Sequence, residues 1–337
     1  MRFHSPTWPL ASAAFVALLI DFFNPPDPAI TSPDIEYVQR VIGSDTLLPG
    51  AGEPVRPIAA PHDTVSLAST LIVMIPSNEG LIVAADSRTT IPTLGSCDNQ
   101  VKLLEPITPP RTIVTVTGTS EFIATSAGMV DICKYLESAP RLLDIDGLVT
   151  NYLAEIKPLD VREIRIEDLA ARCLDAVRDF QSRRPLALQP FANRELFAVN
   201  LVGYYPTEKL TVIRSFVVNI TGALLKPEVN RVVERKFSFD DDRDVLLFGE
   251  TDYASANVWA GVGRKFLKKE TINFVEQPKM IRETSLYDAA AARDIIAATS
   301  RTTDIIPAPS GIGGPIKTLL LGDTPNAREI NESKVNQ

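Results

Sequence analysis

Thr70, Asp86 and Lys102 stand at equal intervals, sixteen residues apart each time (86 − 70 and 102 − 86). Their types suit amide hydrolysis without histidine. The chain's two histidines, His4 and His62, precede the first regular apolar pattern, which removes Ser-His-Asp and Cys-His arrangements from the core. A threonine hydroxyl is a feeble nucleophile at neutral pH and needs a base beside it. The α-amine released when a chain is cut before a threonine has a suitable pKa of about 7.7 to 8.0. A buried lysine next to that amine disfavours its protonated form by like-charge repulsion, and an aspartate neutralises and orients the lysine. Lys102 and Asp86 fit those roles. Singly, each residue also has an ordinary reading: Thr70 as a β-branched strand residue, Asp86 as a strand-end partner of Arg88, and Lys102 as a surface lysine.

The elements that must position these residues follow from periodicity. Thr70 to Ile75 and Leu81 to Ala85 are apolar runs flanking the turn Pro76-Ser77-Asn78-Glu79-Gly80, which predicts a hairpin buried on both faces. Val101 to Leu104 and Thr112 to Thr117 are further strand candidates. Behind Gly118 the positions Phe122, Ile123, Met129, Val130, Cys133 and Leu136 predict a helix, and a second runs from Glu167 to Gln181 with Leu169, Cys173, Leu174, Val177 and Phe180 on one side. Strands return at Leu196 to Tyr204 and Lys209 to Val218. After the charged loop Asp240 to Asp244 comes the short run Val245 to Phe248. Helices are predicted over Tyr253 to Phe266 and Leu286 to Ser300, with a last strand at Pro315 to Leu321. This order predicts an α+β protein built as a four-layer αββα sandwich.

Several of these segments resemble a known family. Ser69-Thr70-Leu71-Ile72-Val73, followed by Gly80-Leu81-Ile82-Val83-Ala84-Ala85-Asp86-Ser87-Arg88, resembles the opening of proteasome β-type subunits, which belong to the N-terminal-nucleophile (Ntn) hydrolases. The Thr70, Asp86 and Lys102 offsets match that family's threonine, aspartate and lysine. Val114-Thr115-Val116-Thr117-Gly118 is similar to the strand whose glycine amide helps form the oxyanion hole. Ser285-Leu286-Tyr287-Asp288-Ala289-Ala290 and Gly313-Gly314-Pro315-Ile316 resemble the last core helix and strand. The resemblance implies catalytic roles for Thr70, Asp86, Lys102 and Gly118, with Gly118 donating to the oxyanion at a turn that opens a helix. A helix-entry glycine is the alternative reading of Gly118. Asp304 and Ser310 correspond to an Asp-x-x-Ser-Gly-Gly segment that is stretched here by a Pro-containing insertion. Two further departures are plain: Ala68-Ser69 stands where active members have glycine before the nucleophile, and Gly249-Glu250-Thr251 stands where they carry a serine.

The resemblance implies a threonine-type peptidase or amidohydrolase, self-processed before Thr70, acting on a peptide or amide substrate and assembling as a homo-oligomer. A noncatalytic proteasome-like structural or binding subunit, and a hydrolase of nonpeptide amides, are the alternatives, because fold does not choose among them.

The domain plan is an apolar leader or signal over 1–20, a Pro-rich prosegment or linker over 21–69 with a short helix at 34–41, an Ntn-hydrolase domain over 70–323, and a polar tail over 324–337. Membrane contact is expected only if the leader is an uncleaved anchor, and the compartment follows the leader: cytoplasmic without a signal, exported with one. A net charge of −8 argues against nucleic acid. The basic groups Arg231 to Lys236 and Arg264 to Lys269 read as solvated faces. Gly311-Ile312-Gly313-Gly314 lacks the strand-then-helix context of a dinucleotide fingerprint, and neither a cofactor nor a metal is expected. Cys97, Cys133 and Cys173 are odd in number and widely spaced, which predicts neither a disulfide framework nor a zinc site. Two of them lie in helical patterns and read as buried thiols.

Overall fold

The computed structural model describes residues 64–68, 70–91, 95–124, 131–238, 245–276, 284–308 and 311–330. All lie in the second of two compact units, Leu48–Gln337. The leader over 1–20, the short helix at 34–41, the loop at 240–244, both histidines and Ser310 fall outside the described residues.

The chain is α+β with antiparallel sheets. The expected hairpin is formed by β2 (Leu71–Ser77) and β3 (Gly80–Ala85), closed at Ser77 and Gly80. It is the middle of a five-stranded sheet. Strand β11 (Leu246–Gly249) flanks β2, while β12 (Lys317–Leu321) flanks β3 and carries β13 (Arg328–Glu329) on its far side. The larger sheet runs β10 (Lys226–Ser238), β9 (Leu210–Thr221), β8 (Arg194–Tyr205), β6 (Thr112–Ala124), β1 (Thr64–Ala68), β4 (Thr89–Ile91) and β5 (Gly95–Cys97). Strand β7 (Arg141–Asp144) also pairs with β6.

Period-two alternation assigns the two faces of the hairpin to different cores. Leu71, Val73, Ile75, Ile82 and Ala84 join a cluster with Ala289, Ala292 and Ile295 of helix α6 (Ser285–Thr303). Ile72, Met74, Leu81, Val83 and Ala85 point the other way and meet Ile113, Val202 and Ile213 of the larger sheet. That sheet's opposite face, including Val114, Val199 and Phe216, packs on helices α2 (Ile145–Ile156) and α3 (Ile166–Arg183). In α3 the buried stripe is Leu169, Cys173, Val177 and Phe180, and Phe180 lies 4.5 Å from the Phe122 ring. Thr284 caps α6 by accepting the Tyr287 N–H.

Four expectations are corrected here. No helix opens at Gly118; β6 continues through it to Ala124, and among the described residues the expected helical stripe is represented by α1 (Ile132–Ser138). Strand β6 stays extended because it is paired on both sides, with β8 and with β1 and β7, so tertiary pairing overrides a pattern ambiguous between the two periods. Val101 to Leu104 contributes a single bridge, Leu104 to Val114, and no strand. The helix expected over Tyr253 to Phe266 is broken into a turn, α4 (Thr251–Tyr253), a π-helical stretch (Ala254–Trp259) and a 3₁₀ stretch (Val262–Phe266), ahead of α5 (Lys269–Glu276). Finally, Cys97 and Cys133 form a disulfide with Cα atoms 5.1 Å apart, leaving Cys173 as a buried thiol. Their bond joins β5 to α1 across 36 residues, a meeting that spacing alone does not reveal.

Candidate functional site

Thr70 is buried and immediately precedes β2. Its carbonyl oxygen is held on the neighbouring strand by the Glu250 N–H, at 3.1 Å. Gly249, paired with Leu71, passes so close that a Cβ there would sit 1.9 Å from the Thr70 oxygen, and its φ of +87° is in the glycine-favouring region. The Gly249-Glu250 step therefore fixes the backbone of Thr70.

Asp86 follows β3 and is buried. One carboxylate oxygen accepts the Leu71 N–H at 2.8 Å and the other accepts the Gly313 N–H at 3.2 Å. It is thereby tied to the residue after Thr70 and to the loop before β12. Burial raises the Asp86 pKa, opposed first by the charge of Lys102 and then by these backbone donors. The Gly313 carbonyl in turn accepts the Ser87 and Arg88 N–H groups, while Arg88 forms a two-pronged pair with Asp98 at 2.6 and 2.9 Å.

Lys102 lies in the stretch between β5 and β6. Enclosure pushes its pKa down from the usual lysine range, and the charges of Asp86, Asp146 and Glu121 pull it back, Asp86 most.

A cavity of about 490 Å³ is lined by Thr70, Lys102 and Gly118 together with Leu67, Ser120, Glu121, Arg141, Asp144 and Asp146. Three of the four expected site residues thus share one hollow, and Asp86 reaches it through Lys102 and the Leu71 amide. Gly118 has φ +82°, and a Cβ there would meet the Leu196 carbonyl at 2.7 Å. It is an irregularity inside a strand, so the helix-dipole part of the expected oxyanion argument does not hold. Asp304 is exposed at the end of α6, within electrostatic range of Arg88 and Tyr253, and is not among the residues lining the cavity. Among the described residues no group of three or more His, Cys, Asp or Glu is disposed to hold a metal, and no helix is long and apolar enough to cross a membrane.

No family model matches the chain, and no curated protein matches it. Similarity is found to solved structures. An Anbu (Gly-1) mutant from Hyphomicrobium sp. strain MC1 is 17% identical with a TM-score of 0.39, over 78% of this chain and 86% of that one. An Anbu (ancestral beta-subunit) from Yersinia bercovieri is 16% identical with a TM-score of 0.41, over 78% and 87%. These findings correct the expected family. The motif resemblance to proteasome β-type subunits is matched by no family model or curated protein, and likeness at such identity and overlap fixes neither membership nor activity.

The sequence did not single out Ser120, Glu121, Arg141 and Asp146 for this cavity. Arg141 pairs with Glu121 at 3.0 Å. Asp146 sits in the first turn of α2, and burial, reinforced by the charges of Glu121 and Asp144, pushes its pKa up to about 7. The one available signal was Asp144, whose carboxylate accepts the Gly147 N–H at 2.7 Å and caps α2. An Asp-x-x-Gly before the periodic Ile145, Val149, Tyr152 and Leu153 marks a helix start, which would have placed Asp146 on α2 but not in a cavity.

Proposed function

We propose that the chain is an amide hydrolase whose nucleophile is the Thr70 hydroxyl, made available when the Ser69-Thr70 bond is cut. The observation that supports this most is the shared cavity: Thr70, Lys102 and Gly118 line it while Asp86 couples Lys102 to the backbone beside Thr70. Cutting before Thr70 creates an α-amine next to its own hydroxyl. That amine takes the hydroxyl proton as the oxygen attacks a carbonyl carbon, and the developing oxyanion is assigned to the Gly118 amide. The proton then passes to the departing amine, leaving an ester on Thr70 that water cleaves. An enclosed lysine keeps the amine unprotonated near neutral pH, and Asp86 holds the lysine in place.

The substrate in this reading is a peptide. Strand β1, which ends just before Ser69, is paired to β6 on one side and to β4 on the other, with Ala68 opposite both Thr119 and Thr90. An extended segment on the acyl side of the cleaved bond has the same pairing available once β1 has gone. The reading includes the αββα layering, with α2 and α3 outside one sheet and α6 outside the other, and self-association of the chain.

A peptide bearing a terminal vinyl sulfone tests the nucleophile directly. The expected result is its mass added to Thr70 of the processed chain, no addition at that peptide in Thr70→Ala, and addition slowed about a hundredfold or more in Lys102→Met. Equal labelling of wild type and Thr70→Ala, or none of a chain that already begins at Thr70, contradicts the proposal.

A further inference from the structure

We propose that strand β1 stays seated after the Ser69-Thr70 bond is cut, as a separate peptide bound to the processed chain, and covers the acyl side of the site until it is displaced. The cut itself rests on the hydrolase reading; what the segment does next goes beyond it. Cutting adds water across that bond and leaves a carboxylate on Ser69 and an amine on Thr70, so β1 is then held by noncovalent contacts alone. Those contacts are the contacts of an interior strand. In the larger sheet β1 lies between β6 and β4. Each residue from Thr64 to Ala68 has a partner on β6, running from Thr64 opposite Ala124 to Ala68 opposite Thr119, and Ala68 also faces Thr90 of β4.

Leu67 is the anchor. It is 6% exposed and shares a core cluster with Ile91 of β4, Cys97 of β5, Ile123 of β6 and Leu136 of α1, so one side chain of the severed segment joins the elements around it. Among the described strands, β4 and β5 reach the rest of the sheet through β1 alone. Losing β1 therefore bares an edge of β6, empties the Leu67 position and breaks the pairing that carries β4. A segment held only by its covalent link would have none of these contacts. Leu67 also lines the cavity that Thr70 lines, and while β1 is seated the β6 backbone groups that an incoming extended peptide would pair with are in use. The Cys97–Cys133 bond ties β5 to α1 without passing through β1, which keeps the cleft between β6 and β4 in place when the segment leaves.

The test compares native and denaturing mass spectra of the protein expressed as the full chain. The expected native mass is that of the chain beginning at Thr70 plus a piece ending at Ser69, and the two are expected to separate on denaturation. In Leu67→Ala the piece is expected to be lost under native conditions as well, and the vinyl sulfone peptide to label Thr70 at least tenfold faster than in wild type. Adding the hexapeptide Thr64-Val65-Ser66-Leu67-Ala68-Ser69 to that variant is expected to slow labelling at least fivefold, and the same peptide with alanine in place of its leucine is not. A wild-type native mass of the Thr70 chain alone overturns the proposal and leaves the hydrolase reading in place. A chain uncut between Ser69 and Thr70 removes the hydrolase reading and the proposal together. The wild-type spectra decide by themselves if the variant does not fold.

Discussion

The Thr70 carbonyl is clamped between the Glu250 amide and the bare α-carbon of Gly249, and this contact sets a sharp expectation. Gly249→Ala introduces a Cβ against backbone at a φ of +87°, so both strain and collision count against it. A loss of more than about 2 kcal/mol is expected in chemical denaturation, against about 1 kcal/mol for Gly222→Ala, where φ is +66° and nothing lies within 4 Å. Asp146 gives a second expectation. Its pKa rises on folding from 3.8 to about 7, so its contribution to stability is full below pH about 4 and is lost as pH climbs through 7. Wild type should therefore lose stability relative to Asp146→Asn across that window, by up to about 4 kcal/mol, three pKa units at about 1.4 each. Melting both proteins from pH 4 to 8 checks the sign, and a difference that is flat with pH contradicts it. The sequence showed Thr70, Asp86 and Lys102 because they sit at fixed offsets along one hairpin and its continuation. Asp146 was illegible because its surroundings are assembled from β6, α2 and the loop before β6.

Elements built from local pattern were the readable ones. The hairpin β2-β3, helix α3 and helix α6 each carry a full period of apolar positions and formed within a few residues of their expected bounds. Strand β1 and the extension of β6 depend on partners distant in sequence, whereas β10 pairs with the adjacent β9, and the residues of all three are mixed enough to hide them. The disulfide belongs to the same class. By joining β5 to α1 it ties together two stretches that flank the cavity, since Asn99 follows Cys97 and Leu136 follows Cys133 in the lining. Closing a 36-residue separation is worth about 4 kcal/mol in the chain-entropy account. Cys97→Ser combined with Cys133→Ser is expected to lower Tm by several degrees, and reducing agent is expected to shift wild type but not the double variant. Equal melting of oxidised wild type and the double variant contradicts the tie.

At the scale of the molecule, two antiparallel sheets meet across Ile72, Met74, Val83, Ile113, Val202 and Ile213; the start of β2 and the middle of β6 put Thr70 and Gly118 on one cavity, and Asp86, just after β3, is bonded to the Leu71 amide beside it. An α+β chain with antiparallel sheets was foreseeable in outline from the order of strand and helix patterns. Family membership was not, since the motif resemblance at the two ends of the domain, weak in its middle, is matched by no family model and no curated protein. Whether the arrangement works as an enzyme turns on one covalent event, because the proposed base does not exist until the Ser69-Thr70 bond is cut. The direct measurement is the intact mass and N-terminal sequence of the purified protein beside Thr70→Ala. The account predicts a wild-type chain beginning at Thr70 and a variant left uncut. A wild-type chain that keeps Ser69 joined to Thr70 has no free amine to serve as base, and that result contradicts the hydrolase proposal.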